Sequence, residues 1–129
     1  DWSLRESMST SRVSTASCVL DGKLFVIGGT DFLIPGVWDD GEYYDTKKDR
    51  WTPIAPMKKE REGCAAIALN GMIYVVGGFE ITRIPQFAMH FFADVERYDP
   101  STDSWTTLSS MNIGRANCSL TISCGKLVV

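Results

Sequence analysis

Two stretches of this sequence decide its fold: L-F-V-I-G-G at residues 24–29 and I-Y-V-V-G-G at residues 73–78. Each is a short apolar run that ends in paired glycines, and the second begins 49 residues after the first. An uninterrupted apolar run of this length is typical of a β-strand that is buried on both faces. The recurrence of the run with its glycines therefore predicts a repeated β unit.

Other landmarks recur in the same order. Each tryptophan of the repeat is followed six residues later by Met, four residues after that by Arg, and ten residues after that by Gly. A period near 50 residues indicates a repeat architecture in which each unit buries its faces against its neighbours. The recurring residues are Trp2, Trp51 and Trp105; Met8, Met57 and Met111; Arg12, Arg61 and Arg115; and Gly22, Gly71 and Gly125.

Turn residues separate the strands of each unit. Asp21-Gly22 and Asn70-Gly71 precede the two apolar runs, and Cys124-Gly125 is a third, less ideal copy. Both central residues of a type I′ turn need positive φ, so these dipeptides predict two-residue hairpins. The chain is therefore expected to be all-β.

The pattern resembles kelch repeats, whose unit is one four-stranded blade of a β-propeller. The matching residues are the two apolar runs with their glycines, the Trp-to-Met-to-Arg spacing and Glu96-Arg97-Tyr98-Asp99-Pro100. The resemblance implies a partial kelch β-propeller of four-stranded antiparallel blades, two of them complete. The expected boundaries are the last strand of a preceding blade (1–8), complete blades (12–57 and 61–111) and the first two strands of the next blade (115–129). Propellers close with about four to eight blades, so we expect a longer protein around this chain.

Composition argues against several classes of function. The net charge is −3 and the basic residues are scattered, which argues against a nucleic-acid partner. No apolar run is long enough to predict a membrane span. Cys64 and Cys118 share one repeat offset, as expected of small buried side chains, and reduced cysteines fit a cytoplasmic protein. The chain has no CxxC pair and one His, so we expect no metal site, cofactor or catalytic triad.

The recurring glycines and arginines are expected to serve the scaffold. Gly28-Gly29 and Gly77-Gly78 are predicted to have backbone angles that other residues avoid and to pack closely against a neighbouring aromatic side chain. The three recurring arginines, being periodic with the scaffold, are expected to make structural hydrogen bonds.

Function is expected where the repeats differ. The segments 30–41 and 79–95 both join the second strand of a blade to the third, and the second segment is five residues longer. Strand direction places both at the same face of the propeller as the links between blades. Their apolar and aromatic residues favour a binding surface for a protein partner. The candidate partner-binding residues are Ser14, Asp31, Phe32, Trp38, Glu62, Arg83, Phe87, His90 and Asn117.

The spacing is most similar to the kelch-like family, in which BTB and BACK domains precede a six-bladed kelch propeller. There the BTB domain binds a cullin scaffold and the propeller holds a substrate for ubiquitylation. The resemblance implies a non-enzymatic, substrate-recruiting propeller. The positions that follow each recurring Arg carry no arginine here, which favours a basic or apolar partner. Two alternatives remain open: a cytoskeletal kelch protein that binds actin, and, less favoured, a kelch-fold enzyme.

Overall fold

The computed structural model describes residues 1–31, 33, 36–82 and 86–129, and every regular element in these ranges is a β-strand. The first sheet is a meander in which each strand pairs antiparallel with the next. Its strands are β1 (Ala16–Leu20), β2 (Lys23–Ile27), β3 (Gly41–Asp45) and β4 (Arg50–Ile54).

The second sheet has the same design with one interruption. Its strands, in spatial order, are β5 (Ala65–Leu69), β6 (Met72–Val76), β9 (Val95–Asp99) and β10 (Ser104–Leu108). Between β6 and β9 the chain forms a separate two-stranded hairpin of β7 (Phe79–Thr82) and β8 (Ala88–Phe91). A last pair follows, β11 (Thr121–Ser123) and β12 (Lys126–Val128).

The core lies between the two sheets, as in adjacent blades of a propeller. The first strands β1 and β5 lie side by side, where small residues such as Ala16 and Ala66 allow close approach. Farther from this pair of strands, apolar side chains of both sheets form one buried cluster. Each sheet therefore buries its apolar face against the other sheet. The largest members of this cluster are Phe25, Ile27, Ile54, Met57, Ile73, Val75, Tyr98 and Trp105.

The three predicted hairpin turns are confirmed. Both central residues have positive φ in each: 50° and 73° in Asp21-Gly22, 51° and 75° in Asn70-Gly71, and 49° and 71° in Cys124-Gly125. These are the angles of type I′ turns, whose twist matches that of the flanking strands.

The paired glycines lie where the backbone of the next repeat comes closest. Gly28 has a φ of 65°, and a Cβ placed on it would lie 2.6 Å from the carbonyl oxygen of Arg61. Gly77 faces the carbonyl of Arg115 in the same way. The predicted backbone angles are confirmed, but the predicted aromatic neighbour is wrong. The close neighbour is a main-chain carbonyl, which only a residue without a Cβ can approach so closely.

At the outer edge, each blade is joined to the chain that enters it. The Trp105 indole N–H donates to the carbonyl of Ala55 at 2.7 Å, and Asp103 accepts the Ala55 N–H at 2.8 Å and the Tyr98 hydroxyl at 2.6 Å. The first sheet repeats these bonds: Trp51, Asp49 and Tyr44, each 54 residues earlier, hold Glu6, which lies 49 residues before Ala55. We call each such set the outer latch.

The first eight residues contain no regular strand. Glu6 occupies the outer latch of the first sheet, whereas the side chains of Trp2 and Leu4 are fully exposed. The prediction that 1–8 is the last strand of a preceding blade stays a prediction, because the described residues contain no strand that pairs with this segment. None of the described residues forms a helix of the length and hydropathy that a membrane span requires.

We expect Gly28→Ala to destabilise the protein far more than Gly22→Ala. Both glycines have similar positive φ, 65° and 73°, but no atom lies within 4 Å of a Cβ on Gly22. Gly22→Ala should therefore cost about 1–2 kcal/mol of backbone strain, and Gly28→Ala about 3 kcal/mol or more because of the added clash. Urea unfolding of the full-length variants measures both, and equal losses would contradict this account of the paired glycines.

The outer latch should contribute to stability in a pH-dependent way. Hydrogen bonds from the Ala55 N–H and the Tyr98 hydroxyl hold the pKa of Asp103 below its ordinary value. Such a carboxyl stabilises the fold above its unfolded pKa of about 4, and the contribution is lost as the pH falls below that value. Asp103→Asn should therefore be less stable than the wild type at pH 7, and the difference should shrink between about pH 4 and pH 2. Urea unfolding at several pH values tests this, and a constant difference would contradict it.

Candidate functional site

The strand-connecting loops and the links between blades meet on one face, as predicted. Val13 and Thr30 form an antiparallel bridge, and the Gly29 N–H donates to the Arg61 carbonyl at 2.8 Å. The second repeat reproduces both features, with a bridge between Glu62 and Phe79 and a bond from the Gly78 N–H to Arg115. We call this surface the loop face.

A buried ion pair supports the loop face of the second blade. The Arg61 guanidinium is fully buried and donates to the Gly77 carbonyl at 2.7 Å and to Glu96 Oε1 at 2.8 Å. The second oxygen of Glu96 accepts the Lys58 N–H at 2.9 Å. The predicted structural role of this arginine is confirmed, because its charge is neutralised inside the scaffold and is not presented to a ligand.

The corresponding arginine of the first blade is held differently. Arg12 donates to Asp40 Oδ1 at 2.8 Å and to the Gly28 carbonyl at 3.2 Å, while its Nη2 stays 3.7 Å from Glu42. The carboxylate of Glu42 instead accepts hydrogen bonds from the hydroxyl and N–H of Ser9. The two blades therefore share the position of the arginine but not the strength of its ion pair with the glutamate.

Lys59 adds a second anchor beneath the inserted hairpin. Its ammonium group pairs with Asp94 and lies 4.8 Å from the centre of the Phe92 ring, which the Arg61 guanidinium also faces at 5.2 Å. The equivalent of Lys59 in the first blade, 49 residues earlier, is Thr10, which carries no charge. The base of the longer segment is thus fixed by a cation that the shorter one lacks.

The inserted hairpin is an elongated form of a feature present in both blades. Thr30 bridges Val37 in the first blade, and the equivalent pair in the second blade is Phe79 and Phe91. The spacing grows from 49 residues at Thr30 and Phe79 to 54 at Val37 and Phe91, so the five extra residues lie at the hairpin tip. The insertion therefore lengthens a hairpin whose base is common to both repeats.

The hairpin has one apolar and one polar face. Directly opposed residues share a face, so Phe79, Phe91, Ile81 and Met89 lie together, and Glu80, His90, Thr82 and Ala88 lie on the other side. Phe79 is buried at the base, where its ring centre is 5.8 Å from that of Phe91. Beyond this base the apolar side chains of β8 are exposed, Phe91 by 54% and Met89 by 42%, and Phe87, just before β8, is 70% exposed. The apolar face of the hairpin is therefore buried at Phe79, next to the sheet, and exposed to solvent farther along β8.

The positions two residues after each recurring arginine form a chain of main-chain bonds. The Gly63 N–H donates to Ser14 O at 3.0 Å, and the Asn117 N–H donates to Gly63 O at 2.7 Å. Ser14 and Asn117 are exposed, and the Asn117 side chain lies over Gly63, where a Cβ would be 2.6 Å from its Oδ1. These two predicted site residues thus lie along one line that joins neighbouring blades.

The remaining predicted site residues are scattered over the loop face. Glu62 is half-buried and fixed by its bridge to Phe79, and Asp31 accepts the Leu33 N–H at 2.6 Å. Phe87 and His90 are exposed on the hairpin. Phe32 and Arg83 lie outside the described residues.

Trp38 differs from the loop side chain that the sequence suggested. It is half-buried, and its main chain accepts the Arg61 N–H at 3.1 Å and donates to Gly29 at 2.9 Å. Its equivalent in the second blade is the buried Phe92, which makes the same two main-chain bonds. Trp38 is therefore a repeat position that packs against the scaffold.

Sequence reasoning did not select Met89, Phe91, Ile113 or Lys59. Met89, Phe91 and Ile113 are exposed apolar residues, and Lys59 holds the base of the hairpin. The alternation of large apolar residues with Ala88 and His90 from Phe87 to Phe91 is the signal that could have identified β8 as a strand with one apolar face.

The described residues contain no group of three potential metal ligands. Burial raises the pKa of the Cys18 thiol to about 12 and that of Cys64 to about 11, which keeps both protonated at neutral pH. A protonated thiol is a poor nucleophile, so these cysteines serve packing. What the loop face offers is an apolar protrusion on a rigid base, which is suited to binding.

Comparison with known proteins identifies the repeat. The family model described as Kelch motif matches residues 11–58 and 60–112. Kelch-like protein 23 of Pongo abelii is 31% identical over 111 residues, which cover 86% of this chain and 18% of that protein. An F-box/kelch-repeat protein of Arabidopsis thaliana is 32% identical over 113 residues, covering 86% of this chain and 28% of that protein.

The solved structure of YjhT matches the fold. It superposes with a TM-score of 0.79 at 23% identity, covering 97% of this chain and 35% of that chain. At this identity the match supports the blade architecture alone. The chain thus spans less than a third of each curated relative named above.

We expect Glu96→Ala to destabilise the protein more than Glu42→Ala. Both glutamates are buried, but only Glu96 receives direct hydrogen bonds from the recurring arginine of its blade. Removing it leaves the buried Arg61 with only Asp94, which is 3.8 Å away and already paired with Lys59, at a cost of about 3 kcal/mol. Arg12 retains Asp40 when Glu42 is removed, so the smaller loss is expected there. Urea unfolding of both variants measures the difference, and a larger loss in Glu42→Ala would contradict this ranking.

Proposed function

Because this chain belongs to the kelch-repeat family, we propose that it is part of a propeller that captures a protein partner on its loop face. The observation that carries the proposal is the apolar surface of the β7–β8 hairpin, where Met89 and Phe91 of β8, and Phe87 just before it, are exposed above a rigid base. Exposed aromatic clusters of this kind are typical of protein interfaces.

The rigidity of the base supports binding over a covering role. Lys59 and Arg61 both face Phe92, and the Gly78 carbonyl accepts the Phe92 N–H at 2.9 Å, so the hairpin is fixed where it leaves the sheet. A preformed, fixed apolar surface loses little conformational entropy when a partner binds. The hairpin therefore offers a preformed surface to a partner.

The partner is proposed to be a substrate for ubiquitylation. Similarity to kelch-like protein 23 supports a kelch-like interaction module. The protein is proposed in addition to be a cytoplasmic adaptor in which other domains bind a cullin scaffold. In this arrangement the propeller performs no chemistry and determines which protein is recruited.

The test compares two exposed apolar residues at opposite ends of the fold. Phe87 is 70% exposed on the hairpin, and Val19 is 64% exposed near the Asp21-Gly22 turn. We expect Phe87→Ser in the full-length protein to weaken partner capture by about 2 kcal/mol, roughly thirtyfold, without lowering the melting temperature. Val19→Ser should change neither.

Affinity co-precipitation and thermal unfolding provide the two measurements, and the cellular half-life of the captured partner provides a third. If Phe87→Ser recovers every partner at the wild-type level, the loop-face proposal is wrong. If capture falls but the partner's half-life is unchanged, binding stands and the role in ubiquitylation is wrong.

A further inference from the structure

The β7–β8 hairpin has one edge that is already paired. Phe79 donates to the Glu62 carbonyl at 2.9 Å and accepts the Glu62 N–H at 3.0 Å, so the link between blades covers the base of the β7 edge. The first blade does the same with Val13 and Thr30. Among the described residues, the outer edge of β8 has no main-chain hydrogen-bond partner beyond β7.

The pairing pattern shows which main-chain groups of β8 point outward. Since both polar groups of Phe79 bond Glu62, those of the opposed Phe91 point away from β7. The same alternation turns Met89 outward and His90 inward toward Glu80. The outward orientation of Phe91 agrees with its carbonyl lying against Gly114. Among the described residues, no main-chain group bonds the N–H and C=O of Met89 or the N–H of Phe91.

Large apolar side chains alternate along β8 with Ala88 and His90, which is the pattern that a strand added at this edge would pair with. Met89 and Phe91 present exposed apolar side chains on one face, while the polar His90 lies on the other. A strand that pairs with β8 would satisfy the open main-chain groups and cover these apolar side chains with every second residue. A compact or helical partner would leave the open groups unpaired.

The charge of the surroundings favours a basic strand. Among the described residues of the loop face, Asp39, Glu60, Glu62 and Glu80 make no ion pair. Of the basic residues there, Lys58 and Arg115 are also without an ion pair, whereas Lys59 and Arg61 are paired with Asp94 and Glu96. This excess of unpaired carboxylates attracts cationic side chains and repels acidic ones.

We propose that β8 is the docking edge for an extended, basic peptide segment of a partner protein, which adds to the hairpin as a third strand. Its apolar residues alternate over Met89 and Phe91, and its intervening residues are Lys or Arg. The proposal rests on the proposed function, because it names the chemistry of the partner that the loop face captures.

Hydrogen exchange in the free full-length protein tests whether the edge is open. The amides of Met89 and Phe91 should exchange rapidly, while the His90 amide, which faces Glu80, should be protected. Protection of Met89 and Phe91 without any partner would show that another part of the protein covers the edge, and would overturn the proposal.

Two synthetic probes test the occupant. A capped seven-residue peptide of alternating Val and Lys should protect the Met89 and Phe91 amides, and the matching Val and Glu peptide should bind at least about tenfold more weakly. Raising the salt concentration should weaken binding of the Lys peptide. Equal binding of the two peptides would overturn the proposed basic character.

A proline variant separates main-chain pairing from side-chain contact. Met89→Pro removes an outward N–H without removing a bond to β7, a placement that edge strands tolerate. We expect it to weaken the Lys peptide about tenfold more than Met89→Ala does, with the melting temperature unchanged. Equal affinities of the two variants would overturn strand addition.

The proline variant also separates this inference from the proposed function. If Met89→Pro captures the natural partner normally while Phe87→Ser does not, the loop face binds its partner by side chains and strand addition is wrong. If neither variant loses the partner, both proposals are wrong.

Discussion

The structure depends on how closely the main chain of one repeat approaches the paired glycines of the repeat before it. The Gly29 N–H donates to the Arg61 carbonyl at 2.8 Å, and the same carbonyl lies where a Cβ on Gly28 would be. This contact sets the distance between neighbouring blades at the end of the second strand. All larger side chains of the buried cluster between the sheets must fit the spacing that it imposes.

Each blade is attached at two separated points, and this explains how the loop face can vary. The outer latch of Trp105, Tyr98 and Asp103 holds the Ala55 backbone at the rim. Nearer the axis, Arg61 and Glu96 hold the Gly77 carbonyl and the Lys58 amide. Both attachments lie in the scaffold, so the part of the β7–β8 hairpin beyond its base at Phe79 and Phe91 belongs to neither of them.

The scaffold could be predicted from sequence because its requirements are local and repeated. The Asp21-Gly22 and Asn70-Gly71 turns follow from dipeptides whose conformational preferences are known, and the period places them in register. The neighbour of Gly28 could not be predicted in the same way. It is the main-chain carbonyl of Arg61, and every residue type has such a carbonyl, so the sequence does not indicate the contact. Trp38 was misplaced for a related reason: its equivalent Phe92 lies 54 residues away, and the five-residue insertion hides the correspondence.

The candidate site could be predicted only in outline. The sequence indicated that segment 79–95 lies on the loop face, but it did not indicate that part of this segment forms a β-hairpin. Its five extra residues extend a hairpin whose base bonds, from Gly77 to Asp94 and from Phe92 to Gly78, recur in the first blade as Gly28 to Asp40 and Trp38 to Gly29. Length can therefore change at the tip while the base stays constant. When a strand with alternating apolar residues is extended beyond the sheet, the apolar residues of the added part have no core to pack against. Their side chains are therefore exposed to solvent. In this fold, lengthening one hairpin is enough to create an apolar surface, and the scaffold below needs no change to support it.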